Sequence, residues 1–182
     1  MKLSHTTLKL LTAATSLASA FKVPDSLPDG VYTLSYDPAS GEALSELELL
    51  QPSLARRNNR LAPLVARQNA DKPPPLERPR PTCGKADMNR NDFDAAKAEF
   101  EKLCDIWKVY PAHNAVIITQ GRAIAYMCSF DAENRCWRDE YEEASGILDR
   151  QCGNRRTGAV YVEKWRKTYG RDVAGVDICA SP

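Results

Sequence analysis

The stretch AVIITQGRAIAYMC, residues 115–128, decides the reading of the fold. Ala115 to Thr119 and Arg122 to Cys128 are rich in β-branched and aromatic residues and meet at Gln120-Gly121, the pattern of two strands joined by a tight turn. Upstream, Asn91 is placed to cap a helix, and Phe93, Ala96, Phe100, Leu103, Cys104 and Trp107 recur at the spacing of one helical face. Downstream, Trp137, Tyr141, Ala144, Ile147, Leu148 and Cys152 repeat that spacing in a second helix, which starts near Cys136 and closes at Gly153. Asp139, Glu140, Glu142 and Glu143 fall in its first turns, where the helix dipole favours negative charge. Gly158 to Trp165 and Val173 to Cys179 read as a further strand pair joined around Tyr169-Gly170. The expected class is therefore α+β, order αββαββ: an antiparallel four-stranded sheet with two helices packed on one face.

All six cysteines (Cys83, Cys104, Cys128, Cys136, Cys152 and Cys179) lie in the last hundred residues. An even count in one compact segment predicts three disulfides, each contributing about 2 to 4 kcal/mol. There is no Cys-x2-Cys pair of the kind a structural zinc site uses, and no metal is expected. Cys136 and Cys152 are not expected to pair, because sixteen helical residues span roughly 24 Å. Chain direction puts Cys83, Cys152 and Cys179 toward one end of the sheet and Cys104, Cys128 and Cys136 toward the other, leaving the connectivity otherwise open.

The oxidising compartment that disulfides need is announced at the start of the chain. Lys2 and Lys9 precede an apolar run, Leu10 to Leu17, followed by Ala18-Ser19-Ala20, the layout of a secretory signal peptide (residues 1–20) cut after Ala20 by signal peptidase. No later stretch is long and apolar enough for a membrane anchor, so the expected location is extracellular. Residues 21–57 carry six acids against three bases and end in Arg56-Arg57, where proprotein convertases of the kexin type cut; the segment reads as a candidate propeptide, with a second candidate cut after Arg67. Residues 58–82 read as a disordered proline-rich linker, with five prolines between 68 and 82, and residues 83–182 as the cysteine-rich domain.

The 25 Lys and Arg against 24 Asp and Glu argue against a nucleic-acid binder that works by bulk charge. Charge is segregated, however: Arg150, Arg155, Arg156, Lys164, Arg166, Lys167 and Arg171 stand against Glu163 alone, with Trp165 and Tyr169 among them. These nine basic and aromatic residues form a candidate binding face for an anionic extracellular partner such as a cell-wall polymer, lipid head groups or a host protein. The competing reading is a solvated edge that offsets the acidic start of the second helix.

No catalytic set emerges, and no cofactor is expected. His113, the one histidine beyond the signal, sits in a turn. A secreted hydrolase such as a ribonuclease would have to use it with a carboxylate such as Glu163 and an arginine. Ser129 and Ser145 lack a nucleophile-elbow context, and Glu142 with Glu143 suit a solvated helix face.

Residues 121–136 (GRAIAYMCSFDAENRC), the Gln151-Cys152-Gly153 corner and the closing run from Lys167 to Arg171 and on to Ile178-Cys179 resemble fungal small secreted cysteine-rich proteins. LPDGVYTLS ahead of a dibasic site is similar to the leaders of such proteins. The element order is also similar to the killer-toxin and necrosis-inducing effector group, which are disulfide-held α/β sandwiches. This resemblance implies an extracellular role such as host interaction or antagonism of competitors and assigns no catalytic residue; with no catalytic set in the sequence, a non-enzymatic effector or toxin-like protein is the first expectation and the hydrolase the alternative.

Overall fold

Residues 114–129 do form the hairpin, and it lies at the middle of a larger sheet than expected. The computed structural model describes residues 20–37, 42–52, 74–105 and 109–180. In chain order the elements are β1 (Phe21–Lys22), β2 (Gly30–Ser35), β3 (Glu48–Pro52), β4 (Pro79–Asp87), α1 (Arg90–Cys104), β5 (Val109–Tyr110) and β6 (Asn114–Gln120). There follow β7 (Ala123–Ser129), β8 (Asn134–Arg135), α2 (Arg138–Cys152), β9 (Arg156–Val162), a 3-10 turn (Glu163–Trp165), β10 (Lys167–Val173) and β11 (Asp177–Ile178). Seven strands make one antiparallel sheet in the order β3-β2-β6-β7-β10-β9-β4, and β1 with β11 and β5 with β8 make two small ribbons.

The expectation of a four-stranded sheet is therefore wrong: the chain is mostly β. The additional strands come from segments read as leader and linker. β2 and β3 lie within residues 21–57, and β4 begins inside the proline-rich stretch. Pro79 and Pro81 are compatible with a strand because β4 is at the sheet's edge, where a missing N–H costs no ladder bond on the open side. The cut sites Arg57 and Arg67, residues 1–19 of the signal and Trp107 lie outside the described residues.

β6 and β7 are buried at every position, because both faces of the sheet are covered. On one face Val116, Ile118, Ala125 and Met127 pack with Phe93, Ala96 and Phe100 of α1 and Tyr141, Ala144 and Leu148 of α2. On the other, Ala115, Ile117, Ile124 and Tyr126 pack with Tyr32, Leu34, Tyr36, Phe130 and Ile178. The hairpin turns at Gly121-Arg122, where Gly121 has φ +55° and a Cβ would stand 2.4 Å from Asp92 Oδ2. Gly121 N–H donates to Asp29 Oδ1 (2.8 Å) and Arg122 N–H to Asp92 Oδ2 (3.3 Å). The cap of α1 is Asn89 rather than Asn91: its side chain accepts from the N–H groups of Asn91 and Asp92, at 2.9 and 3.3 Å.

The last strand pair also departs from expectation. β9 and β10 reverse through Glu163–Trp165 and Arg166, which has φ +51°, so Tyr169-Gly170 lies within β10 rather than at its turn. Gly170 opposes Tyr126, whose Cζ would be 2.1 Å from a Cβ there; the glycine makes room for a ring. Beyond β10, Gly175 at φ +93° sends the chain back over the helix-free face as β11, which joins β1 and not the main sheet.

All six cysteines are paired, as Cys83–Cys152, Cys104–Cys136 and Cys128–Cys179. The third bridge crosses the expected grouping of ends, because the reversal at Gly175 carries Cys179 back to Cys128 near the end of β7. Among the described residues no helix is long and apolar enough to cross a membrane.

Candidate functional site

The candidate binding residues between 150 and 171 do not share one surface. Arg171 is fully buried beneath the C-terminal end of α2. Its Nη1 donates to Asp149 Oδ1 (2.6 Å), Nη2 to the Gly153 carbonyl (3.1 Å) and Nε to the Arg156 carbonyl (2.8 Å). The guanidinium also covers the Phe93 ring at 5.1 Å, so this cation holds a helix end in place. Arg156, Lys164 and Arg166 are paired with exposed acids, namely Asp87 (3.3 Å), Glu77 and Asp131. Exposed pairs of this kind contribute about 0 to 1 kcal/mol each and neutralise the edge. Arg150 and Arg155 are exposed with no acidic partner among the described residues.

Trp165, Lys167 and Tyr169 do converge, but around the start of α2. Lys167 and Glu140 form an ion pair with side chains 3% and 4% exposed. Tyr169 donates its hydroxyl to the same Glu140 Oε2 at 2.7 Å and accepts from the Trp137 N–H at 3.1 Å. Lys167 also donates to the Arg135 carbonyl (3.3 Å) and lies over the Trp165 ring at 4.8 Å. Burial pushes the Glu140 carboxyl up, and the Lys167 ammonium and Tyr169 hydroxyl draw it partly back. Burial likewise pushes Lys167 down, against the pull of Glu140. Trp137 and Trp165 wall a recess of about 210 Å³ above this pair, smaller than most ligand pockets.

His113 has φ +55° and its backbone is tied to both neighbouring strands: its N–H donates to the Phe130 carbonyl and its carbonyl accepts from Tyr36 N–H. Its Nδ1 is buried and makes no hydrogen bond among the described residues. Glu163 forms an ion pair with Arg80 at 2.8 Å.

A roomier recess lies elsewhere, on the helix-free face between β7, β10, β9, β4 and the returning C-terminal segment. This cleft of about 320 Å³ is lined by Tyr126, Tyr161, Thr168, Asp172, Asp177 and Arg80. Burial pushes the Asp172 carboxyl up, and a hydrogen bond from the Val173 N–H draws it back. Asp172 in turn adds to the burial that raises Tyr126. Cys83 and Cys179 line two of its walls, and their bridges to Cys152 and Cys128 tie both walls to the fold. Reading the sequence alone misses this site, since Arg80 was assigned to a linker and the segment after Gly175 to a sheet strand. Gly158, which lines the cleft and whose Cβ would stand 2.6 Å from Thr82 O, is a local signal of it. Among the described residues no group of three or more His, Cys, Asp or Glu side chains is placed to hold a metal ion. Compared with protein-family models, with curated proteins and with solved structures, the chain matches none.

Proposed function

We propose that this chain is an exported, disulfide-braced binding protein of the effector or toxin-like kind, and that it engages its extracellular target with the cleft on the helix-free face. The observation that carries this reading is the bracing of the cleft's walls by two separate disulfides. A site held open covalently loses little conformational freedom on binding, which is how a small rigid domain gains affinity. The volume falls in the range of small-ligand sites, about 300 to 1,000 Å³. Asp172 and Asp177 offer acceptors and Thr168 and Arg80 offer donors around two tyrosine rings, which suits a polar ligand group with an apolar side. The signal-like start, the paired cysteines and the resemblance to fungal secreted cysteine-rich proteins support export; maturation by signal peptidase and a kexin-type convertase belongs to the same reading.

The test compares three proteins collected from culture medium: the wild type, a cleft-filling Ala159→Phe variant and an Arg150→Glu/Arg155→Glu variant of the exposed basic edge. Each is assayed for sedimentation with insoluble cell-wall polysaccharide and with anionic vesicles, and for binding to intact cells. Loss of binding in Ala159→Phe with retention in the arginine variant supports the cleft. The opposite pattern moves the site to the basic edge.

A further inference from the structure

No cysteine precedes residue 83, so residues 21–52 are joined to the rest of the protein only through the connection 53–78 and through non-covalent contacts. Those contacts are extensive. β2 lies between β3 and β6, pairing Gly30 with Thr119 through to Ser35 with Asn114. Gly30 N–H donates to Thr119 Oγ1 (3.1 Å), Thr119 Oγ1 donates to the Pro28 carbonyl (2.6 Å) and Tyr36 donates its hydroxyl to the Ser129 carbonyl (2.7 Å). Val23 and Val31 are wholly buried, and Tyr32, Leu34 and Tyr36 nearly so. β1 adds a second hold on β11, with Val23 N–H donating to the Val176 carbonyl and Gly175 N–H to the Val23 carbonyl, both at 3.0 Å.

Without this segment β6 would be an edge strand presenting Ala115, Val116, Ile117 and Ile118, all 0% exposed in the intact fold. An unpaired apolar edge of that length is a template for aggregation. The dibasic pair stands in the connection between β3, which ends at Pro52, and β4, which begins at Pro79, the two opposite edges of the sheet.

We infer that residues 21–57 are a retained subunit of the mature protein rather than a discarded leader. Hydrolysis of the Arg57–Asn58 bond adds one water, leaving a carboxylate on Arg57 and an amine on Asn58. The product is a two-chain molecule in which the shorter chain stays on β6 and β11 by strand pairing and apolar burial, as strand-adding peptides do. The partner of the β6 edge is thus a piece of the same gene product.

The test takes the full secreted chain, exposes it to a purified kexin-type protease, and compares native mass spectrometry with a denaturing, non-reducing gel. The expected result is one native species containing 21–57 and 58–182, which separates into two chains in denaturant with all three disulfides intact. A native species of 58–182 alone overturns the inference, and so does an Arg57–Asn58 bond that stays uncut. Leu34→Asp, placed at a side chain 1% exposed, should weaken retention of the short chain by about tenfold to a hundredfold. Leu34→Ile, with its precursor checked for the three bridges, should retain it. Equal retention in both variants would show that strand seating is not what holds the chains together.

Discussion

Replacing Lys167 by methionine removes the cation paired with Glu140, whose side chain is 4% exposed. The Tyr169 hydroxyl still donates to that carboxylate, but a single neutral hydrogen bond does not offset the loss of bulk water around a charge. Breaking a buried pair from one side costs about 3 to 5 kcal/mol. For a domain of this size that is a fall of roughly 6 to 20 °C in Tm. The loss should depend on pH, and its sign follows from Glu140. Burial already holds that carboxyl above its ordinary value, and Lys167 is among the groups drawing it back. Without Lys167 the folded value rises further. A group whose folded value exceeds its unfolded one favours the fold fully below the unfolded value, and that contribution disappears as pH rises through the folded value. The variant should thus come closest to wild type around pH 4, near the unfolded carboxylate value of roughly 4.3, and fall behind as the pH is raised toward neutrality. Adding Glu140→Gln to Lys167→Met should recover most of the loss at neutral pH, since no charge is then left buried. Urea denaturation under non-reducing conditions from pH 4 to pH 8 reads all three proteins. A Lys167→Met loss below about 1 kcal/mol that is also flat with pH would refute the reasoning, because it would mean that the pair is not shut away from water.

Two further perturbations probe the helix-free face. Gly170→Ala places a Cβ where Tyr126 Cζ would be 2.1 Å away, so overpacking should cost about 1 to 3 kcal/mol in chemical denaturation; an unchanged midpoint would place the ring elsewhere. Cys128→Ala with Cys179→Ala opens a loop with a sequence separation of 51 residues and should cost about 4 kcal/mol, measured the same way with the other two bridges intact.

What the sequence made legible were the elements with a strong period and local punctuation. α1 and α2 repeat apolar residues on one face, and the β6–β7 hairpin is marked by Gly121 between two β-branched runs. What it hid depends on contacts distant along the chain. β2 was hidden inside a segment that reads as a propeptide because its support, β6, lies some eighty residues away. β4 looked like a polyproline spacer because proline at a sheet edge is distinguished only by the edge being there. The basic run looked like a surface because Lys167 and Arg171 are neutralised by Glu140 and Asp149, which belong to the preceding helix. Charge counted along the chain cannot separate a solvated cation from one paired across a core.

The same distinction explains where the covalent bonds lie. Cys83–Cys152 ties the edge strand β4 to the end of α2, Cys104–Cys136 ties the end of α1 to the approach to α2, and Cys128–Cys179 ties β7 to the returning tail. The sheet from β7 to β4 and both helices are thus braced, while β1, β2 and β3 carry no bridge. A cross-link acts chiefly by restricting the unfolded chain, so it stabilises the part of the fold whose ends it joins. Residues 21–52 must rely on burial and strand pairing alone. Their buried residues Val23, Val31, Tyr32, Leu34 and Tyr36 are the side chains that close the open edge of β6 and part of the face opposite the helices. The unbraced segment is therefore the part of the sheet whose attachment is reversible in principle, and the dibasic pair stands in the connection that alone makes it permanent.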